Sequence, residues 1–171
     1  MEKEEKKVFE SYLSFNLGDE IFAVSVKKVL EVLEMQYITK VPRTPDFIRG
    51  VINFRGEILP VFDSRMKFNL SVSQDTGRTV IIVFELKVND KAWLIGAIAD
   101  GVRDVLEISK DQIRPIPELG SKYNTDFLLG MIRSDVGFLM VLDIDKVFSV
   151  DELTLISNSV EVEKENVIGN E

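Results

Sequence analysis

Leu13, Phe15 and Leu17 alternate with Ser14 and Asn16, a period of two that predicts a strand with one buried face. Gly18-Asp19 follows as a turn. Residues 21–26 and 29–33 are rich in β-branched side chains and predict two further strands. A helix over 26–34 competes, because Val29, Val32 and Leu33 also fit helical spacing; the valines favour strand. Val41-Pro42-Arg43-Thr44-Pro45 predicts irregular chain. Residues 46–49 are at most one helical turn, ended by Gly50. Two apolar runs then flank Arg55-Gly56, the pattern of a β-hairpin in which Gly56 takes the positive φ of a tight turn. The run 58–62 is too apolar to face water. Pro60 removes a ladder donor and predicts an edge or a bulge. A short helical turn is expected over 64–68, with a polar link over 71–78.

The pattern then recurs. Residues 79–86 predict a fully buried strand, 88–91 a turn, and 93–98 and 102–108 two more strands. Ser109 and Gln112 have the spacing of a capping box for one helical turn. Residues 113–117 are a Pro-spaced loop that answers 41–45. Ser149 and Glu152 form another capping box, which predicts a helix through about Ile156 and a tail without a core from 157 to 171. Asp46, Phe47, Gly50, Ile52, Leu59, Val61, Asp63 and Phe68 recur as Asp126, Phe127, Gly130, Ile132, Leu139, Val141, Asp143 and Phe148. The offset is constant, since 126 − 46 and 148 − 68 both equal 80. A register kept through a turn, a hairpin and the following Asp predicts an internal duplication. The second copy has Asp135-Val136-Gly137 in place of the Arg-Gly tip.

Short strands with Gly and Pro turns indicate a mainly β fold, with two five-stranded SH3-like β-barrels related by a pseudo-two-fold. The expected division is a charged tail (1–10), a first barrel (11–70), a link (71–78), a second barrel (79–148) and a C-terminal helix and tail (149–171). Exchange of strands between the barrels stays open.

Composition narrows the function. With 171 residues and 45% hydrophobic content, the chain is long enough for one ordinary domain or two small ones sharing a core. The net charge of −8 disfavours an electrostatic grip on nucleic acid or an anionic membrane. There is no Cys and no His, which removes disulfides, Cys nucleophiles, His bases and His phosphorelay. The first seven residues are charged and carry no apolar run, so no signal peptide is expected. No apolar run reaches spanning length, so no direct membrane insertion is expected and the location is expected to be cytoplasmic.

Candidate chemistry is sparse. Asp143 and Asp145 form a D-x-D, but Asp143 repeats Asp63, and the shared Asp is read as the cap of a short helical turn. Asp100-Gly101 is read as a turn, and Trp93 as core. No phosphate loop, nucleophile elbow or metal-ligand cluster is present in the sequence. An enzyme is not expected, and no cofactor. Arg55 on a hairpin tip and Arg114 beside Pro115-Ile116-Pro117 are the better leads, because loops that carry Arg with apolar residues resemble protein-contact surface.

Six motifs occur in order: F-x-L-G-D-E-x-x-A-V (15–24), V-x-E-V (29–32), V-P-x-x-P-x-F-I-x-G-V-I-N-x-R-G-x-I-L-P-V-x-D (41–63), D-G-V-x-D-V (100–105), I-R-P-I-P (113–117) and L-D-I-D-K (142–146). Together they closely resemble the CheW family of bacterial chemotaxis coupling proteins, over about residues 11–148. The resemblance implies two barrels on a shared apolar core. It also implies a non-enzymatic adaptor between the cytoplasmic tip of chemoreceptors (methyl-accepting chemotaxis proteins) and the regulatory domain of the histidine kinase CheA. It places receptor coupling on Val29, Glu31, Gly50 and Arg55, with Val32 and Asn53 beside them. It places kinase contact on Arg114 and Leu119, the latter being Leu where an aromatic can occur. A CheW-like module belonging to a kinase or a fusion protein stays open. An oligonucleotide-binding barrel is opposed by the charge, and a carboxylate-dependent hydrolase by the lack of a constellation.

Overall fold

The computed structural model describes residues 7–72, 74–117, 126–135 and 137–169, the last ten of these by backbone only. Ten strands run in chain order: β1 Phe9–Leu17, β2 Glu20–Ser25, β3 Val29–Glu34, β4 Ile48–Phe54, β5 Glu57–Asp63, β6 Val80–Val88, β7 Lys91–Ala99, β8 Gly101–Ser109, β9 Leu128–Ser134 and β10 Gly137–Leu142. The helices are α1 (Ser64–Lys67) and α2 (Val150–Gly169). The segment 26–34 is one 3-10 turn followed by strand, as its valines favour.

The strands form two five-stranded sheets, ordered β8-β1-β2-β10-β9 (barrel A) and β3-β6-β7-β5-β4 (barrel B). The two orders correspond strand for strand under the internal repeat, including a parallel pair in each, β10 with β2 and β5 with β7. They do not follow the division at 71–78. Barrel B is the continuous stretch from β3 to β7, and barrel A joins β1 and β2 to β8, β9 and β10. Each barrel thus takes one hairpin from the opposite copy. The reason lies in the buried faces. Phe15, Leu17, Phe22 and Val24 of β1 and β2, with Ile82, Phe84, Leu86 and Ile95 of β6 and β7, form one central core between the barrels. The other faces of these strands line the two barrel interiors, with Tyr12 and Ala23 in one and Ile81, Val83 and Ile98 in the other. The exchanged hairpins are therefore buried on both faces, which only the middle of a three-layer structure permits.

This corrects the half-buried reading of β1. Ser14 is 2% exposed, and a bulge in the pairing to β8 accommodates it. Its hydroxyl donates to the Asp104 carbonyl at 2.9 Å and accepts the Asp104 N–H at 3.0 Å, so no polar group is stranded. Pro60 lies in an interior strand, one residue before the parallel pairing to β7 begins at Val61. Residues 46–47 are a turn and residues 48–49 already belong to β4, so there is no helical turn here.

Aromatic contacts tie the repeats together reciprocally. The Phe47 and Phe148 rings lie 5.8 Å apart between centroids, and the equivalent Phe127 and Phe68 rings 4.5 Å apart. α2 runs to Gly169, longer than the helix through about Ile156 predicted from its capping box. Its capping box is intact, with Ser149 N to Glu152 Oε1 at 3.0 Å and Glu152 N to Ser149 Oγ at 3.1 Å. Leu153 and Ile156 are buried in the central core. Lys67 Nζ anchors the helix at Glu152 Oε2, 2.7 Å away, and lies 4.6 Å from the Phe47 centroid. Trp93 is only partly buried, at the rim of the core.

Asp63 caps α1 by accepting the Arg65 N–H at 3.0 Å. Asp143 stands at the equivalent place but makes no such side-chain bond; it faces Lys146 at 3.8 Å. Asp63 also grips the fully buried Arg65 side chain with both oxygens, Nε to Oδ1 and Nη2 to Oδ2, each at 3.0 Å. Arg65 Nη1 reaches Asp100 Oδ1 at 2.8 Å, and Asp100 Oδ2 accepts the Gly18 N–H at 2.6 Å. Asp100 is thus a structural tie between the barrels, and not a plain turn residue. Burial works to raise the Asp63 carboxyl, but the hydrogen bonds and charge of Arg65 outweigh it and hold the group below the usual carboxylate range. A depressed folded value contributes stability above the unfolded value, about 3.9, which is lost as pH falls through the folded one. Arg65→Met should cost about 3–5 kcal/mol, because it leaves Asp63 buried with only Arg49 Nη1, 3.4 Å away, as a charged partner. Urea titrations at pH 7, 5 and 3 check both effects. Wild type should lose stability toward pH 3, and the variant should lose less over that interval, since its Asp63 gains by taking a proton.

Candidate functional site

The predicted receptor residues lie on β3 and the β4–β5 hairpin of barrel B, joined by one contact between Arg55 and Glu31. β3 and β4 are its two edge strands. The β4–β5 hairpin closes with Phe54 opposite Glu57, leaving Arg55 and Gly56 as a two-residue loop with φ of 52° and 81°. Positive φ at both positions defines a type I′ turn, and Asn53 Oδ1 supports it by accepting the Gly56 N–H at 3.1 Å. Arg55 leaves the tip toward β3. Its Nη2 lies 3.1 Å from Glu31 Oε2, and its guanidinium lies 4.9 Å from the Phe54 ring centroid. Its side chain is still 63% exposed, so the ion pair occupies only part of its donor fork.

An arginine in the left-handed region costs about 1 kcal/mol relative to the Asn or Gly this turn prefers. Strain of that kind at an exposed position points to a role for the side chain outside the fold.

On β3, Val29 pairs with Phe84, and after a bulge Glu31 pairs with Val83 and Val32 with Ile82. Cross-strand partners share a face. The bulge therefore puts Val29 and Val32 on the face of Phe84 and Ile82, toward the central layer, and Glu31 with Leu33 on the other. Without it, Val29 and Val32 would lie on opposite faces. Val32 is 39% exposed, whereas Val29 packs partly into the core. Two exposed residues that the sequence did not single out lie nearby in the chain, Leu30 in the bulge and Tyr37, 86% exposed between β3 and Thr39. The bulge had no local sequence signal.

Gly50 is different in kind. It is buried in β4 with φ of 144°, and a Cβ there would lie 2.0 Å from the Thr39 carbonyl oxygen. Thr39 needs that approach to pair with Val51, through bonds of 3.0 and 2.8 Å. Gly130 serves Arg114 and Met131 in the same way in barrel A, where a Cβ would lie 2.5 Å from the Arg114 carbonyl oxygen. Gly50 therefore shapes the edge beside the site and presents no side chain of its own.

Arg114 is exposed on the flank of β9, on the barrel that does not carry Arg55. Leu119 lies outside the described residues. Asp145, the other member of the D-x-D, is held between Lys28 Nζ at 2.7 Å and the Lys87 N–H at 2.8 Å, a structural tie. Among the described residues no group of three or more acidic side chains is placed to hold a metal ion, and no helix is long and apolar enough to cross a membrane.

Two barrels on a shared core, with charged and apolar side chains presented at strand edges, define a binding fold. The model of the CheW-like domain family matches residues 11–152, and the chain belongs to that family. It is 37% identical over 152 residues to Chemotaxis protein CheW of Klebsiella aerogenes, covering 88% of this chain and 89% of that one. It is 30% identical over 144 residues to Chemotaxis protein CheW of Bacillus subtilis, covering 84% and 89%. The crystal structure of the scaffolding protein TtCheW from Thermoanaerobacter tengcongensis is similar with a TM-score of 0.75 and 27% identity, covering 89% of this chain and 96% of that one.

Two substitutions separate fold from site. Gly50→Ala should destabilise by about 3 kcal/mol, because the new methyl overlaps backbone. Arg55→Asn should be neutral or stabilise by up to about 1 kcal/mol, since relief of the turn offsets an exposed ion pair. Urea midpoints of the two variants against wild type check this.

Proposed function

We propose that this chain is a non-enzymatic cytoplasmic adaptor of chemotaxis signalling, which binds the cytoplasmic tip of chemoreceptors and the regulatory domain of a CheA-type histidine kinase at once. Similarity to proteins named for chemotaxis and scaffolding supports the class. The observation that carries the receptor half is Arg55, strained at its turn and half engaged by Glu31 of β3, the strand that also presents Val29 and Val32 on its other face. An amphipathic helix from a receptor tip lays its apolar face on such a strip, and Arg55 takes a carboxylate on the helix edge. Glu31 holds the guanidinium ready and shares its donors. Asn53 braces the turn, and Gly50 lets Thr39 complete the edge. Arg114 and Leu119 belong to the kinase contact, and Arg114 stands on the other barrel, so one partner need not displace the other.

The test is paired titration of a receptor-tip fragment and a kinase regulatory domain. Arg55→Ala should weaken the receptor fragment by about 1.5–3 kcal/mol and leave kinase-domain binding near wild type. Arg55→Lys should restore only part if the contact is a fork. Arg114→Glu should do the reverse. Loss of both partners in either variant would defeat the two-surface reading.

A further inference from the structure

We propose that the first turns of α2 fill, in cis, a helix-binding seat on barrel B, and that a partner helix with the same Glu-Leu-x-x-Ile face docks there when α2 is displaced. None of the residues involved belongs to the receptor or kinase assignments.

The seat lies on the core face of β5 and β7. Phe62 pairs with Ala97, and residues two and four positions back share their face, so Ile58 and Pro60 stand with Trp93 and Ile95. Leu153 and Ile156, three residues apart on α2, are buried in that core. Glu152, one residue earlier, accepts from Lys67 Nζ at 2.7 Å, and the same ammonium lies 4.6 and 5.2 Å from the Phe47 and Phe148 ring centroids. Two apolar sockets and one fixed cation are the elements of helix-in-groove recognition, and here they select Glu, Leu and Ile at i, i+1 and i+4. The fit is open on both sides of these anchors. A cavity of about 320 Å³ borders Ile58, Pro60 and Ile156, another of about 380 Å³ borders Val88, Val150 and Thr154, and Trp93 and Leu153 line both. Among the described residues the Trp93 indole N–H has no acceptor, and Lys91, whose Nζ lies 4.3 Å from the ring centroid, has no carboxylate partner. α2 leaves both unused. A partner helix with acceptors at those places gains contacts that offset the advantage α2 has from being tethered.

The internal repeat shows that the fold itself does not call for a helix here. Phe22 answers Trp93 at an offset of 71, and Phe138 and Met140 answer Ile58 and Pro60 at an offset of 80. In barrel A the Phe68 ring stacks on Phe22 with centroids 5.7 Å apart. The chain then leaves through Asn69 at a φ of 59°, and among the described residues no helix follows it onto β2 and β10. Phe138 is left 59% exposed. In barrel B the equivalent ring, Phe148, lies against Phe62 and Phe47 at 4.8 and 5.8 Å, and no ring of the described residues stacks on Trp93. One copy thus closes its aromatic socket with its own Phe, while the other leaves a socket to α2. A contact that one half of the duplicated fold does without, held by two side chains and one ion pair, is suited to exchange.

Trp93 is the single tryptophan of the chain, so its fluorescence reads the seat directly. The probe is a synthetic peptide of residues 149–169, long enough to form a helix on docking. In the full chain, Glu152→Arg and Lys67→Glu should each raise the acrylamide quenching constant of Trp93 at least twofold while the thermal melt stays cooperative. The exchanged pair, Glu152→Lys with Lys67→Glu, should return it to the wild-type value. The peptide should restore shielding to Glu152→Arg, and the same peptide with Leu153→Asp should bind at least tenfold more weakly. Lys67→Glu should refuse the wild-type peptide and accept one with Glu152→Lys. Trp93 as shielded in both single variants as in wild type, or a peptide that does not restore shielding, overturns the proposal. Loss of the cooperative melt in the single variants overturns it too, by showing α2 to be part of the core. Opening accompanied by dimer formation on a sizing column gives the seat to a second copy's α2 and overturns the partner assignment.

Discussion

Arg65 is wholly buried and cannot shed its charge, so the structure must be arranged around it. Its guanidinium is bound by Asp63 from the end of β5 and by Asp100 from the bend where the chain leaves barrel B for barrel A, with Asp75 Oδ1 3.6 Å away. Asp100 in turn holds the β1–β2 turn through Gly18. One cation therefore fixes three pieces of chain that must meet for the hairpins to be exchanged. The other crossing, where the chain first enters barrel B, carries the reversed pair. There Asp145, at the position equivalent to Arg65, binds Lys28 and the Lys87 N–H. The buried pair is expensive to desolvate, and a hydrophobic substitute would serve stability as well. What an apolar substitute lacks is direction, and we read the pair as a specifier of register at the crossing.

The duplication keeps what the fold needs and lets the rest drift. Gly50 and Gly130 both admit a neighbouring carbonyl, and Phe47 with Phe148 answers Phe127 with Phe68. These contacts sit at the central layer or against backbone, where a change of size has no room. The hairpin tips have no such constraint. One carries Arg55 in a strained turn, and the other Asp135.

Much of this was legible in the chain, and the failures have physical reasons. Alternation, Gly-marked turns and the repeat at an offset of 80 showed strands, hairpin and duplication, because each depends on residues near in sequence. The hairpin exchange could not be read locally, since pairing of β1 with β8 is a property of the three-layer core. Ser14 looked like a solvent-facing residue because its bonds go to Asp104, far along the chain. Asp100 looked like a turn because of its Asp-Gly pair, but it is a single bend between β7 and β8 whose side chain serves Arg65. The capping box marks where the C-terminal helix starts but carries no signal for its end, and the backbone continues helical to Gly169. The place of Arg55 at a hairpin tip was plain from the sequence, but its proximity to Glu31 required the two edges of one barrel to approach each other.

That approach bears on why an adaptor uses this fold. The stabilising apolar area lies in three stacked layers, and the edge strands β3, β4, β8 and β9 contribute their inner sides while their rims stay open to solvent. A bare strand edge invites pairing with any other chain. Here the bulges in β3 and β8 disturb the ladder, and Thr39 and Arg114 cover part of β4 and β9. Backbone pairing is thereby discouraged while side chains stay presented. Recognition then depends on side-chain chemistry at the rim, which substitution can alter without touching the layers beneath.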